Sequence, residues 1–155
     1  MGVMSSGLKN RRALASSSVQ NAGEAVVRAY VEASADVAPT DINVEVLSGL
    51  HGVDEIRSQV VDATDSHSIA AAEDVVTPID SLVNYAGNVQ HGSALDCSNS
   101  VRKQQSDQNV ETMFPITGEI LTRMRTLSSG SLGNISSICA AGKNRCNVQY
   151  SGLGF

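Results

Sequence analysis

Apolar residues along this 155-residue chain recur in two alternating rhythms. Ala22, Ala25, Val26, Ala29, Tyr30 and Ala33 fall at i, i+3, i+4, i+7, i+8 and i+11, one face of a helix over 22–33. Between such stretches lie short runs rich in Val, Ile, Leu and Ala. They predict strands over 12–16, 37–41, 56–63, 79–84 and 131–137. The first should be weak, because Arg11 and Arg12 stand at its start, and Pro39 should confine or bend the second. Asn43 is placed to cap a brief helix through Leu47, closed by Gly49 and Gly52. A helix follows over 66–76. A Gly/Ser/Asp loop over 87–100 then leads into a long helical region over 101–125, which Pro115 and Gly118 should kink. Strands alternating with helices predict βαβ units on a parallel sheet. No repeat or linker interrupts them, so one α/β domain over 1–155 is expected.

Composition narrows the partners. With 41% apolar and 17% charged residues the chain is neither a charge-rich disordered tail nor a coiled coil. Sixteen acidic against 11 basic residues give a net charge of −5, which argues against nucleic acid or an anionic membrane as the main partner. No apolar run approaches the roughly 18–20 residues that span a bilayer. The three cysteines, Cys97, Cys139 and Cys146, form no CxxC pair, and an odd count makes a poor disulfide framework. A reducing, cytoplasmic location is the simpler expectation. His51, His67 and His91 lack the spacing of a zinc site, so no metal is expected.

Ligands of open parallel sheets bind beyond the carboxyl ends of the strands. That directs attention to residues 16–23, Asp41, residues 84–87 and Ser136-Ser137. Here the sequence resembles a known family. Leu82-Val83-Asn84-Tyr85-Ala86-Gly87 is similar to the LVNNAG segment of the short-chain dehydrogenase/reductase family. Gly133-Asn134-Ile135-Ser136-Ser137 resembles the family's fifth strand, which ends on its catalytic serine, and Tyr150 follows Ser137 by thirteen positions, a usual spacing. The run from Asn88 to Cys97 and the later Asn144-Arg145-Cys146 resemble the cytosolic type 2 3-hydroxybutyrate dehydrogenases within that family. The resemblance extends from Leu8 to Ser151 and covers the N-terminal part of a family member. It implies a truncated Rossmann-like three-layer sandwich with a parallel sheet in the order 3-2-1-4-5.

The resemblance also implies roles. The family's TGxxxGxG turn, which aims backbone N–H groups and a helix N-terminus at a pyrophosphate, falls on the eight residues from Ser16 to Gly23. Ser16, Asn21 and Gly23 are therefore candidate cofactor residues, although Ser17 puts a side chain where phosphate should approach. The same stretch also reads as a Ser-rich turn with Asn21 as a cap. Asp41 would accept hydrogen bonds from both ribose hydroxyls and repel a 2′-phosphate, favouring NAD over NADP; it also reads as a cap for the next helix. Asp62 and Ala63 match the pair that contacts the adenine ring, and Asn84, Ala86 and Gly87 would line the cofactor.

For the chemistry, Ser137 and Tyr150 would hold a carbonyl or alcohol while hydride passes between nicotinamide and carbon. The family's fourth-helix asparagine falls on Asp107, with Asn109 two positions later as a substitute. Arg145 would pair with a substrate carboxylate, and equally reads as a solvated surface arginine. Four residues after Tyr150, where the family needs Lys, stands Gly154. The function implied is an NAD-dependent oxidoreductase of small secondary alcohols or hydroxy acids such as 3-hydroxybutyrate, acting as a homo-oligomer. The alternative is a catalytically inactive fragment that binds nucleotide weakly or pairs with another subunit.

Overall fold

Ala13, Leu14, Ala15 and Ser16 are all buried, at the centre of a sheet whose remaining strands were built around them. The computed structural model describes residues 7–17, 21–50, 56–76, 78–85, 87 and 97–135. Along these the chain forms β1 (Arg12–Ser16), α1 (Asn21–Glu32), β2 (Asp36–Asp41), α2 (Val44–Ser48), β3 (Gln59–Val60) and α3 (Ser66–Val76). It continues through β4 (Ser81–Asn84), α4 (Asn99–Ser106), a π-helical turn (Asp107–Glu111), α5 (Met113–Leu127) and β5 (Ser131–Asn134). The sheet order is β3-β2-β1-β4-β5, with every pair parallel. This is the Rossmann-like order expected.

Side-chain alternation along the strands divides the core in two. Leu14, Ala38 and Leu82 meet Ile69 and Ala72 of α3 and Ile116, Ile120 and Met124 of α5 on one face. On the other face Ala13, Ala15, Val37 and Val83 meet Val27 of α1, Leu47 of α2 and Leu50. Three layers result. Burying each of the larger side chains is worth about 1.5–3 kcal/mol. The alanines of β1 keep the strand surface low beneath α1.

Four expectations change on inspection. The inward stripe of α1 is buried Gly23 and Val27 with partly buried Val26, Tyr30 and Val31, whereas Ala22, Ala25 and Ala29 are exposed. Larger side chains take the core, and alanine, a strong helix former, serves as well in solvent. β1 is not weak: its arginines stand at the entry end, where acids receive them. Arg11 Nη1 lies 2.7 Å from Asp80 Oδ1, the Arg12 N–H donates to Asp80 Oδ2 at 2.9 Å, and Arg12 Nε lies 3.8 Å from Asp36.

β3 is shorter than the expected 56–63. Val37 bridges Ile56, and the Arg57 N–H donates to the Val37 carbonyl at 3.0 Å. Pro39, next on that side of β2, has no N–H to close the following rung, and regular pairing resumes only at Thr40↔Gln59. Finally, the helical irregularity lies at Asp107–Glu111 rather than at Pro115 or Gly118. Pro115 sits in the first turn of α5, where a missing N–H costs little, so the widened turn precedes it. Among the described residues no helix is long and apolar enough to cross a membrane.

Candidate functional site

The parallel register brings the last residues of the strands onto one line: Ser16 pairs with Thr40 and with Asn84, and Asn84 with Asn134. Asn84 is the hub. Its Nδ2 donates to Thr117 Oγ1 of α5 at 2.9 Å and to Asn134 Oδ1 at 3.0 Å. Its Oδ1 accepts from Ser16 Oγ at 3.4 Å, and Ser16 Oγ accepts from the Tyr85 N–H at 3.3 Å. Both Ser16 and Asn84 are almost fully buried. The cost of burying such groups is met by their hydrogen bonds, which tie β1, β4, β5 and α5 together at the carboxyl edge.

Beyond β1 the backbone turns through Ser17, whose φ of 47° lies in the left-handed region. That conformation is one a glycine adopts without strain and serine does not. Two of the other turn candidates follow on α1, which begins at Asn21; Gly23 is buried. At the end of β2, Asp41 is half-buried and its Oδ1 accepts from the Asn43 N–H at 3.0 Å. Asn43, not Asp41, caps α2, accepting from the Glu45 N–H at 2.9 Å. Ile42 and Val60 stand exposed beside Asp41, an apolar ledge next to a carboxylate.

Asp62 and Ala63 follow β3. Asp62 Oδ1 accepts from Thr64 Oγ1 at 2.6 Å and from the Thr64 N–H at 2.8 Å. The side-chain bond, then the backbone bond, stabilises the carboxylate and holds its pKa below the ordinary aspartate range, against a smaller opposing effect of burial. Ser68 Oγ accepts from the Asp62 N–H at 3.0 Å, which fixes this corner to α3.

Both fourth-helix candidates lie in the π turn, on different sides of it. Asp107 faces solvent and pairs with Lys103 Nζ at 3.0 Å. Asn109 is buried, and its Oδ1 faces Gly87: a methyl added to Gly87 would lie 2.7 Å from it. The structure thus brings Asn109 to Gly87, whereas Asp107 pairs with Lys103. Ala86, Ser137, Tyr150 and Arg145 lie outside the described residues. Sequence reasoning missed Thr117, Gln105 and the role of Asn134. Only Asn134 carried a signal, standing within the Gly-Asn-Ile-Ser-Ser segment; Thr117 and Gln105 are ordinary polar residues of helices until the fold turns them inward.

A parallel sheet in this order, with a left-handed residue directly after β1 and polar groups gathered at its carboxyl edge, defines a Rossmann-like scaffold. The short chain dehydrogenase family model matches residues 16–152, and the chain belongs to that family. Among curated proteins it is 35% identical over 134 residues to dehydrogenase/reductase SDR family member 6 of Danio rerio, covering 84% of this chain and 55% of that one. It is 32% identical over 135 residues to the 2-keto-3-deoxy-L-fuconate dehydrogenase of Xanthomonas campestris, covering 86% and 45%. A short-chain dehydrogenase crystal structure from Streptomyces avermitilis superposes with a TM-score of 0.82 at 26% identity, over 93% of this chain and 55% of that one. The chain therefore spans about half the length of the relatives it matches.

Proposed function

We propose that this chain seats a nicotinamide dinucleotide across the carboxyl ends of β1, β2 and β4 and serves hydride transfer to or from a small secondary alcohol or hydroxy acid. The observation that supports this best is the turn after β1. A left-handed residue, Ser17, leads toward the N-terminus of α1, where backbone N–H groups and the helix dipole favour an anion. The residues around it fit the rest of a dinucleotide. Asp41 is placed for ribose hydroxyls, and its charge favours NAD over NADP. The ledge of Ile42 and Val60 offers apolar surface for a flat ring, and the backbone of Gly87 stands open on the β4 side. When bound, such a cofactor supplies or accepts the hydride.

The remaining roles fall to residues carried by the family resemblance. Ser137 would hold the substrate oxygen, Tyr150 would exchange its proton, and Arg145 would pair with a carboxylate. The matched relative named for 2-keto-3-deoxy-L-fuconate favours the hydroxy-acid class, with 3-hydroxybutyrate the specific substrate proposed. A tyrosine without a neighbouring cation has a pKa near 10, which leaves about one part in a thousand ionised at pH 7. Gly154 brings no cation, so oxidation by this chain should be slow at neutral pH and rise toward pH 10. That same residue favours a second reading, an inactive dinucleotide-binding module.

The test is the rate of NADH formation by the purified chain with a panel of hydroxy acids and uncharged alcohols, between about pH 7 and about pH 10. Turnover of hydroxy acids that climbs with pH is expected. Turnover of uncharged alcohols alone rejects the carboxylate contact. Binding of NADH without turnover anywhere in the panel selects the inactive module.

A further inference from the structure

We infer that Gln105 is a positioning residue, setting the carboxamide of Asn109 against Gly87 just beyond β4. Its consequence for dinucleotide binding rests on the function proposed above. Gln105 and Asn109 lie one helical turn apart, at the junction where α4 widens into the π turn, and both are buried. Apolar side chains would fill such positions at less cost than amides, which must find partners when they leave water.

The partners are specific. Asn109 Nδ2 donates to Gln105 Oε1 at 3.4 Å. With its nitrogen engaged by an acceptor, the amide presents its oxygen toward Gly87, so close that a Cβ there would lie 2.7 Å from it and one of the two would have to shift. An amide has chemically different ends, so an acceptor at residue 105 decides which end meets Gly87. The π turn opens at this point: the Thr112 N–H reaches back to the Asp107 carbonyl at 3.2 Å, Asp107 pairs with Lys103 on the outside, and Asn109 lies over Gln105 on the inside. Such turns are frequent at functional sites.

Leucine at 105 removes the acceptor at similar size, whereas a glutamate there keeps an acceptor in either protonation state. The test compares wild type, Gln105→Leu and Gln105→Glu by three readouts: the Gly87 amide resonance in 15N-labelled full chain, NADH affinity by fluorescence, and the unfolding midpoint. Gln105→Leu should move the Gly87 resonance and weaken NADH binding about tenfold. Gln105→Glu should leave both close to wild type. Loss of stability in Gln105→Leu with Gly87 and NADH affinity unmoved is what a merely structural residue gives, and overturns the inference. A moved Gly87 with unchanged affinity overturns it too. A moved Gly87 in a chain whose wild type binds no NADH supports the coupling and rejects the dinucleotide reading instead, so the two failures are distinct. Gln105→Met carries the same expectations should the leucine variant fail to fold.

Discussion

Ser17 offers the sharpest perturbation of the turn after β1. Its φ of 47° costs a non-glycine residue about 1–2 kcal/mol, because Cβ crowds the following carbonyl. Ser17→Gly removes that cost but returns about 0.5–1 kcal/mol through the greater freedom of glycine in the unfolded chain. A net gain of about 0.5–1 kcal/mol remains. For a domain of this size that raises the melting temperature by roughly 1–4 °C. The variant also clears a side chain from the approach to α1, so NADH affinity should rise about three- to tenfold, or about 0.7–1.4 kcal/mol. Ser34 is the control. It has φ of 63° but follows α1 at the opposite edge of the sheet, where its carbonyl accepts from Asn10. Ser34→Gly should stabilise to a similar degree and leave NADH affinity unchanged. Thermal melts followed by circular dichroism and NADH fluorescence titrations read both effects. Ser17→Gly with no gain in stability would refute the strain argument. Equal affinity changes in the two variants would refute the placement of the phosphates at Ser17.

Asn84→Ala should lower stability by about 2–3 kcal/mol in urea unfolding, since it strips partners from Ser16, Thr117 and Asn134 inside the sheet edge. Gly133→Ala should stabilise by about 0.5–1 kcal/mol, because a Cβ there meets only the Leu82 carbonyl at 3.9 Å and Val83 Cγ2 at 4.0 Å; Gly130→Ala, driven into buried Met124, should destabilise. Asp80 gives a pH signature at the opposite edge. Burial alone would raise its pKa, but the Arg12 N–H, the Arg11 hydrogen bond and the charges of both arginines outweigh it and hold the carboxyl low. Its folded pKa lies below the unfolded value of about 3.9, so its contribution is present above that pH and fades as pH falls through the folded value. Asp80→Asn should flatten that acid limb of the stability profile and leave the profile above about pH 5 parallel to wild type.

Much of the scaffold was legible because strand and helix rhythms are local. The order of the strands came from the resemblance carried by residues 82–87 and 133–137, not from periodicity. What escaped were features set by competition between side chains or by the ladder. The face of α1 was misplaced because Ala22, Ala25 and Ala29 counted as apolar, although only packing against β1 decides that Val27 goes inward. The shortness of β3 follows from Pro39, a residue of the neighbouring strand. In the site, Ser16, Asp41, Asn84 and Gly87 stand at the carboxyl ends of their strands. Asp107 lies one turn from Lys103 and pairs with it on the outer side, whereas Asn109 lies one turn from buried Gln105; which of the two sides faces the sheet is set by packing and has no signature in spacing.

The proposed function requires a dinucleotide across the carboxyl edge of the sheet. Titration of the 15N-labelled chain with NADH, followed by amide shifts, tests it most directly. Saturable movement at Ser17, Asp41, Tyr85 and Gly87 is predicted, weaker with NADPH, while Arg12, Asp80 and Ser131 at the entry edge stay still. Shifts confined to that entry edge, or none at the four strand-end residues, would contradict the account.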